Sequence, residues 1–171
     1  MAGDKTAINE KAPPLERLYV SHIDAAVRLA YLMTGDREKA QDIANDAFVK
    51  VAGRFHDLRH RDAFPAYLRS TVLNLSRSYL RRLRLQRDYV QREAARPETP
   101  SRPVDLESRD EMWVAMQKLP HRRRAAIVLR YYEDLTEQQT ADAMSCSVSA
   151  VKALVARGLE GLRTEMSRED R

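Results

Sequence analysis

The twelve residues from Glu93 to Val104 read EAARPETPSRPV and hold Pro97, Pro100 and Pro103. Proline locks φ and has no N–H to return to the preceding turn, so no helix runs through this stretch. Apart from Val104 it lacks large apolar side chains, and it reads as a semi-rigid linker over residues 93–104. What lies on either side is then two small units, and units of that size fold alone when their helices pack well. Both sides are poor in helix breakers: the chain has only 5 Gly and is rich in Ala, Leu, Arg, Glu, Gln and Met. The expected class is all-α, with two small helical domains at residues 15–92 and 105–166. A loose arm over residues 1–14, ending in Pro13 and Pro14, precedes them, and a short tail over residues 167–171 follows.

Periodicity places the helices. From Leu15, the apolar positions Leu18, Tyr19, Ile23, Ala26, Val27, Ala30 and Met33 recur at three- and four-residue steps until Thr34 and Gly35 close the pattern. A second helix begins at Asp36. Ala40, Ile43, Ala44, Ala47 and Val51 share its inner face, while Glu38, Asp42, Asn45, Asp46 and Val49 fall on the opposite side. Gly53 to Asp62 reads as a loop, and a long helix then runs from Phe64 to Arg92 with Pro65 in its first turn. Between Arg54 and Arg92 there are ten Arg against three acids, so the chain's surplus positive charge is concentrated here and the rest of the chain carries none of the net +5. Phe64, Tyr67 and Tyr79 interleave with those arginines, which suits unstacked bases on rings and phosphates on guanidinium groups. A solvated basic face over an aromatic core has the same composition.

Beyond the linker, Leu106 to Leu119 is amphipathic through Met112, Trp113 and Met116, and Pro120 ends it. A short piece follows from Arg122 to Tyr132. Thr136 with Gln139 matches a capping box for a helix carrying Ala141 and Met144. Ser145 and Cys146 make a turn, and Ser147 can cap a last helix whose inward stripe is Val148, Val151, Val155, Leu159 and Leu162. Two helices about a tight turn have the shape of a helix-turn-helix. Its polar face offers Ser147, Ser149, Lys152 and Arg157 to a major groove and its phosphates, and Arg122, Arg123 and Arg124 add positive charge upstream. Any helical hairpin shows similar spacing.

Other classes fare poorly. His22, His56, His60 and His121 lack the paired spacing of a metal site. Cys146 has no second thiol and reads as a small buried hydrophobe. There is no Gly-rich phosphate loop, and Glu133 with Asp134 reads as solvated helix-end charge. The expectation is a non-enzyme with no cofactor, no metal and no small-molecule substrate. The start of the sequence shows no secretion signal and there is no long apolar run, so no membrane association and a cytoplasmic location are expected.

Three stretches, in order, resemble the extracytoplasmic-function (group 4) sigma factors of the sigma-70 family, in particular their small actinobacterial members. LAYLMTGDREKAQDIANDAFVKVA resembles the family's polymerase-binding segment, with Asn45, Asp46 and Phe48 at its acidic end. AFPAYLRSTVLNLSRSYLRR is similar to the promoter-melting segment. LPHRRRAAIVLRYYEDLTEQQTADAMSCSVSAVKALVARGLEGLR is similar to the domain that reads the upstream promoter element.

The resemblance implies two domains, for polymerase and melted DNA (15–92) and for duplex DNA (105–166). Asp42, Asn45, Asp46, Phe48 and Val49 would meet the clamp helices of the largest subunit of core RNA polymerase. Phe64, Tyr67, Arg69, Asn74, Arg77, Arg81 and Arg82 would serve the downstream, melted element, with the Gly53 to Phe64 loop capturing a flipped base. Ser147, Ser149, Lys152, Ala153, Ala156 and Arg157 stand at the positions that meet the upstream element, and the second domain would also bind the flap of the second subunit. An anti-sigma factor is a further implied partner. The recognition helix departs from the family pattern: Ala153 and Leu154 replace a polar and a basic residue, Ala156 sits where an aromatic or His is common, and Ser145 replaces the usual turn Gly. Two rival readings remain, a stand-alone helix-turn-helix regulator and a single-strand RNA-binding module.

Overall fold

The computed structural model describes residues 14–54, 62–93 and 111–169, and the described residues are helices and turns with no strand. Seven helices follow in order: α1 (Pro14–Thr34), α2 (Arg37–Arg54), α3 (Phe64–Glu93), α4 (Glu111–Lys118), α5 (His121–Ile127), α6 (Glu137–Met144) and α7 (Val148–Glu169). The linker, the N-terminal arm and much of the Gly53 to Phe64 loop lie outside the described residues.

In the first half, α1 and α2 form a hairpin against which α3 lies. The turn between them needs Gly35, whose φ of 72° is left-handed. Asp36 caps α2 by accepting the Lys39 N–H at 3.1 Å. The apolar stripes meet in a core of Leu29, Met33, Ala40, Ala44, Ala47, Val51, Leu68 and Val72. An aromatic chain ties the three helices together: Tyr19 meets Phe48 edge-on at 5.0 Å, and Phe48 meets Phe64 at 5.5 Å. Such edge-to-face pairs add about 0.5–1.5 kcal/mol each beyond burial.

In the second half, α5 runs on into a single π turn, Val128–Tyr132, and α7 packs across α4, α5 and α6. The sequence marks Arg122 to Tyr132 as one piece, and only the last turn widens. α7 comes close because Gly158 and Gly161 have no side chains: a Cβ there would sit 2.6 Å from Ile127 Cδ1 and 2.8 Å from Leu119 Cδ2. The capping box forms, with Thr136 Oγ1 accepting the Gln139 N–H at 3.1 Å and Gln139 Oε1 accepting the Thr136 N–H at 2.9 Å.

The two halves pack against each other, α1 with α5 and α3 with α6, and their buried side chains form one continuous cluster. Arg124 is 5 % exposed and holds this junction. Its guanidinium donates to Gln117 Oε1 at 2.9 Å, to Leu119 O at 3.1 Å, to Gln117 O, and to Met33 O at the end of α1. Arg124 is therefore not part of a free basic surface with Arg122 and Arg123; burial of a charge demands hydrogen-bond partners, and these carbonyls engage both terminal nitrogens of its guanidinium.

Candidate functional site

The outward face of α2 is built by its own periodicity. Burying Ala40, Ile43, Ala44, Ala47 and Val51 forces Glu38, Asp42, Asn45, Asp46 and Val49 into solvent, and Val49 is 68 % exposed. Tyr19 on α1 borders the face and donates its hydroxyl to Asn45 Oδ1 at 2.9 Å. That orients the amide so that its NH2 points elsewhere; the side-chain signal was present, but an α1 tyrosine across the hairpin cannot be read from α2's spacing. Asp42 is engaged by Lys39 at 3.3 Å, and this neighbour raises the Lys39 pKa chiefly through the hydrogen bond. Phe48 differs from its expected place: it is 6 % exposed, and its ring lies between Tyr19 and Phe64. It supports the acidic face from beneath, because its position on the helix falls on the core side of the stripe.

On α3 the sequence-selected residues separate in the same way. Tyr67 and Asn74 are exposed, as are Arg77, Arg81 and Arg82, and they share one side of the helix. Phe64 is fully buried, packed by Phe48 and His22, so it anchors the start of α3 rather than facing a base. Arg69 turns the other way and pairs with Glu133 at 3.6 Å. Glu133 is thus not a solvated helix-end charge, whereas Asp134 is exposed, with φ at 51°.

On α7 the expected contact residues Ser149, Lys152, Ala153, Ala156 and Arg157 all face outward. The Ser147 hydroxyl is committed to capping, accepting the Ala150 N–H at 3.2 Å. Lys152 reaches Glu137 at the start of α6, 3.5 Å away. Ser145 is left-handed with φ 50° and ψ 52°, so the missing glycine does leave a non-glycine residue in that region. Cys146 is half-buried in the turn.

His121 opens α5 between the halves. Neither ring nitrogen has a hydrogen-bond partner. Burial, and then the positive charges of Arg124, Arg77 and Arg122, push its pKa down to about 4. It is a neutral filler of the junction. Among the described residues no group of His, Cys, Asp and Glu has the arrangement of a metal site, and no helix is long and apolar enough to cross a membrane.

Comparison with known proteins matches two stretches of the chain, one in each half. Residues 18–86 match the family model of sigma-70 region 2, and residues 109–162 match that of sigma-70 region 4. The chain belongs to the sigma-70 family, as a sigma factor of the extracytoplasmic-function type. It is 27% identical to the RNA polymerase sigma-E factor of Streptomyces coelicolor over 152 residues, covering 86% of this chain and 82% of that one. It is 26% identical to the extracytoplasmic-function sigma factor SigW of Bacillus subtilis, covering 84% and 83%. The fold is shared with the sigma factor RpoE of Bartonella quintana, solved in complex with the anti-sigma factor NepR, at a TM-score of 0.66 and 18% identity over 89% of this chain and 96% of that one. These findings do not favour the stand-alone regulator or the RNA-binding module.

Proposed function

We propose that the three faces divide the work of an initiation factor. Residues 15–92 bind core polymerase through Asp42, Asn45, Asp46 and Val49, and bind the melted element through Tyr67, Arg69, Asn74, Arg77, Arg81 and Arg82. Residues 105–166 bind the flap and, through Ser149, Lys152 and Arg157 with Ala153 and Ala156 alongside, the upstream element. Phe48 and Phe64 position these faces from the core. The observation that carries this is the α2 face, where Asp42, Asn45 and Asp46 lie beside a valine left two-thirds exposed, a combination suited to a basic protein surface with an apolar contact. The chain performs no catalysis of its own, acts in the cytoplasm beside polymerase, and is held in check by an anti-sigma protein, as RpoE of Bartonella quintana is bound by NepR in its solved complex.

Extracting a base from the stack costs a few kcal/mol, and the α3 arginines offset it by holding backbone phosphates. Reconstitution tests the whole reading. The pure chain is expected to co-elute with core and start transcripts from a cognate promoter, and absence of both overturns the proposal. In the same assay Asn74→Ala should slow open-complex formation about tenfold, the worth of one good polar contact to a base, while leaving core affinity intact. Equal loss of both would point to misfolding.

A further inference from the structure

Helix α3 outlasts the core that it packs on. Phe64, Leu68, Val72, Leu73 and Ser76 are buried, and Ser76 is the last buried residue in it. Tyr79, Leu80 and Leu83 still find partial cover, but from Arg84 to Arg92 every residue is exposed. A helix end without packing beneath it has little stability of its own. The side chains it displays, Leu85 at 58% and Tyr89 at 63% exposure among them, therefore do nothing for the fold.

This end of α3 has two unlike faces. Arg84, Arg87, Asp88 and Gln91 line a cleft that opens towards Lys118 and His121 at the α4–α5 turn. Leu85, Tyr89 and Arg92 lie on another side. At about 100° per residue they continue the stripe of Tyr67, Asn74 and Arg81, because the steps from Tyr67 to Asn74, Arg81, Leu85, Tyr89 and Arg92 are all helical repeats of three, four or seven residues. The exposed stripe that carries Asn74 thus does not stop at Arg82 but runs on to the end of the helix. Over residues 81–93 there are five Arg against Asp88 and Glu93, and Asp88 belongs to the cleft side.

We propose that Leu85, Tyr89 and Arg92 carry the nucleic-acid face of α3 past the melted element and onto the backbone of the duplex that borders it. This rests on the strand-binding reading of α3. The surplus of arginine and the continuity with the Tyr67 to Arg82 stripe select a phosphate backbone as the occupant. Single strands are gripped by successive aromatic platforms, and one ring on a bare helix side is no such platform. A duplex carries twice the phosphate per unit length and accepts arginine and tyrosine hydroxyl donors along its backbone. Arg92 meets one phosphate, the Tyr89 hydroxyl donates to another, and Leu85 covers the sugar edge between them. Such contacts carry no base information, so they add affinity beside every melted element that α3 accepts.

The full chain assembled with core polymerase is titrated with two labelled templates from a cognate promoter: a fork in which duplex adjoins the melted element, and the melted strand alone. Arg92→Gln is expected to weaken binding of the fork roughly threefold to tenfold, to lower its salt slope by about one, and to leave the strand alone unaffected. Arg87→Gln removes the same charge from the cleft face and is expected to change neither. Leu85→Ala with Tyr89→Ala should weaken the fork by a similar factor at every salt concentration, and since these side chains lie outside the core its thermal melt should match that of the unaltered chain. Equal loss from Arg92→Gln and Arg87→Gln overturns the proposal, because diffuse charge does not distinguish the two faces. Equal loss on both templates overturns it in favour of a strand contact, and loss of core affinity in the Leu85 and Tyr89 variant overturns it in favour of a protein contact. Asn74→Ala separates the proposal from the reading beneath it. If that variant weakens the strand while Arg92→Gln leaves the fork intact, the extension alone fails; if neither variant alters either template, the reading of α3 fails with it.

Discussion

The outward faces of α2 and α7 are displayed by the same device, an apolar stripe buried beneath, yet they offer different chemistry. On α2 the outward stripe carries charge, an amide and an apolar group: Glu38, Asp42, Asn45, Asp46 and the exposed Val49. On α7 two of the five expected contact residues, Ala153 and Ala156, end in a methyl group, and Lys152 is engaged by Glu137. A protein surface is selected by charge arranged beside an apolar contact, which α2 supplies. A duplex can be held by phosphate contacts that carry no sequence information. In this molecule the choice of enzyme is therefore written more densely than the choice of upstream promoter element.

The largest effect should come from α2. Asp46→Arg reverses charge in the middle of the face, placing like charges together at the interface with core, and is expected to cost about 3 kcal/mol, roughly a hundredfold in core affinity. Titration of core at several salt concentrations measures it. Wild-type affinity at every salt level would mean that the face is only solvated surface, and the contrast with α7 would vanish. The next effect leaves both faces untouched. His121 has its pKa lowered to about 4 by burial and by Arg124, Arg77 and Arg122, so between pH 6.5 and 4 the unfolded chain binds more protons than the folded one. Stability from this group is present above pH 6.5 and falls as pH drops towards 4. The loss from pH 7 to pH 5 is about 2 kcal/mol, read from denaturant melts, and His121→Phe should remove it. Core affinity of the refolded protein at pH 7 should be the same in both.

Most of the helical framework was legible in the sequence because it rests on local rules. The stripe of α2, the Pro65 start of α3, the Thr136 and Gln139 box and the turn at Ser145 are each fixed within about one helical turn of sequence, and they stand as expected. What was not legible depends on partners distant in the chain. Phe48 was a contact residue by the family resemblance and Phe64 also by its place beside a basic run, where an aromatic suits either surface or core, and only the meeting of α1, α2 and α3 buries them. Arg124 read as one of three basic residues in a row. The acceptor that distinguishes it is Met33 O, ninety-one residues away. Glu133 and Arg69 are likewise joined only because the halves pack.

The smaller predictions sharpen the description of α7. If Lys152 serves mainly as a phosphate contact, Lys152→Ala weakens duplex binding by about 1 kcal/mol on cognate and non-cognate sequences alike and lowers the salt slope by about one. Loss confined to one sequence would show that α7 reads bases after all. Glu137→Gln frees the same lysine from its partner at 3.5 Å, and duplex affinity should rise about threefold, since an exposed ion pair is worth under about 1 kcal/mol.

The turn that aims α7 should give the smallest effect. Ser145 is held at φ 50°, and a left-handed conformation costs a non-glycine residue about 1 kcal/mol. Glycine at this position removes that strain but brings greater freedom to the unfolded chain, which offsets about half of the gain. The two backbone bonds that close the turn, Ser145 N to Asp142 O at 3.2 Å and Cys146 N to Ala141 O at 3.0 Å, involve no side chain and persist. Ser145→Gly should therefore stabilise the protein by about 0.5 kcal/mol and raise Tm by about 1–2 °C, with duplex affinity unchanged. A gain in affinity would shift the limitation from the sparse face of α7 to the angle at which the turn presents it. A fall in Tm would show that Ser145 makes a side-chain contact worth more than the strain it carries.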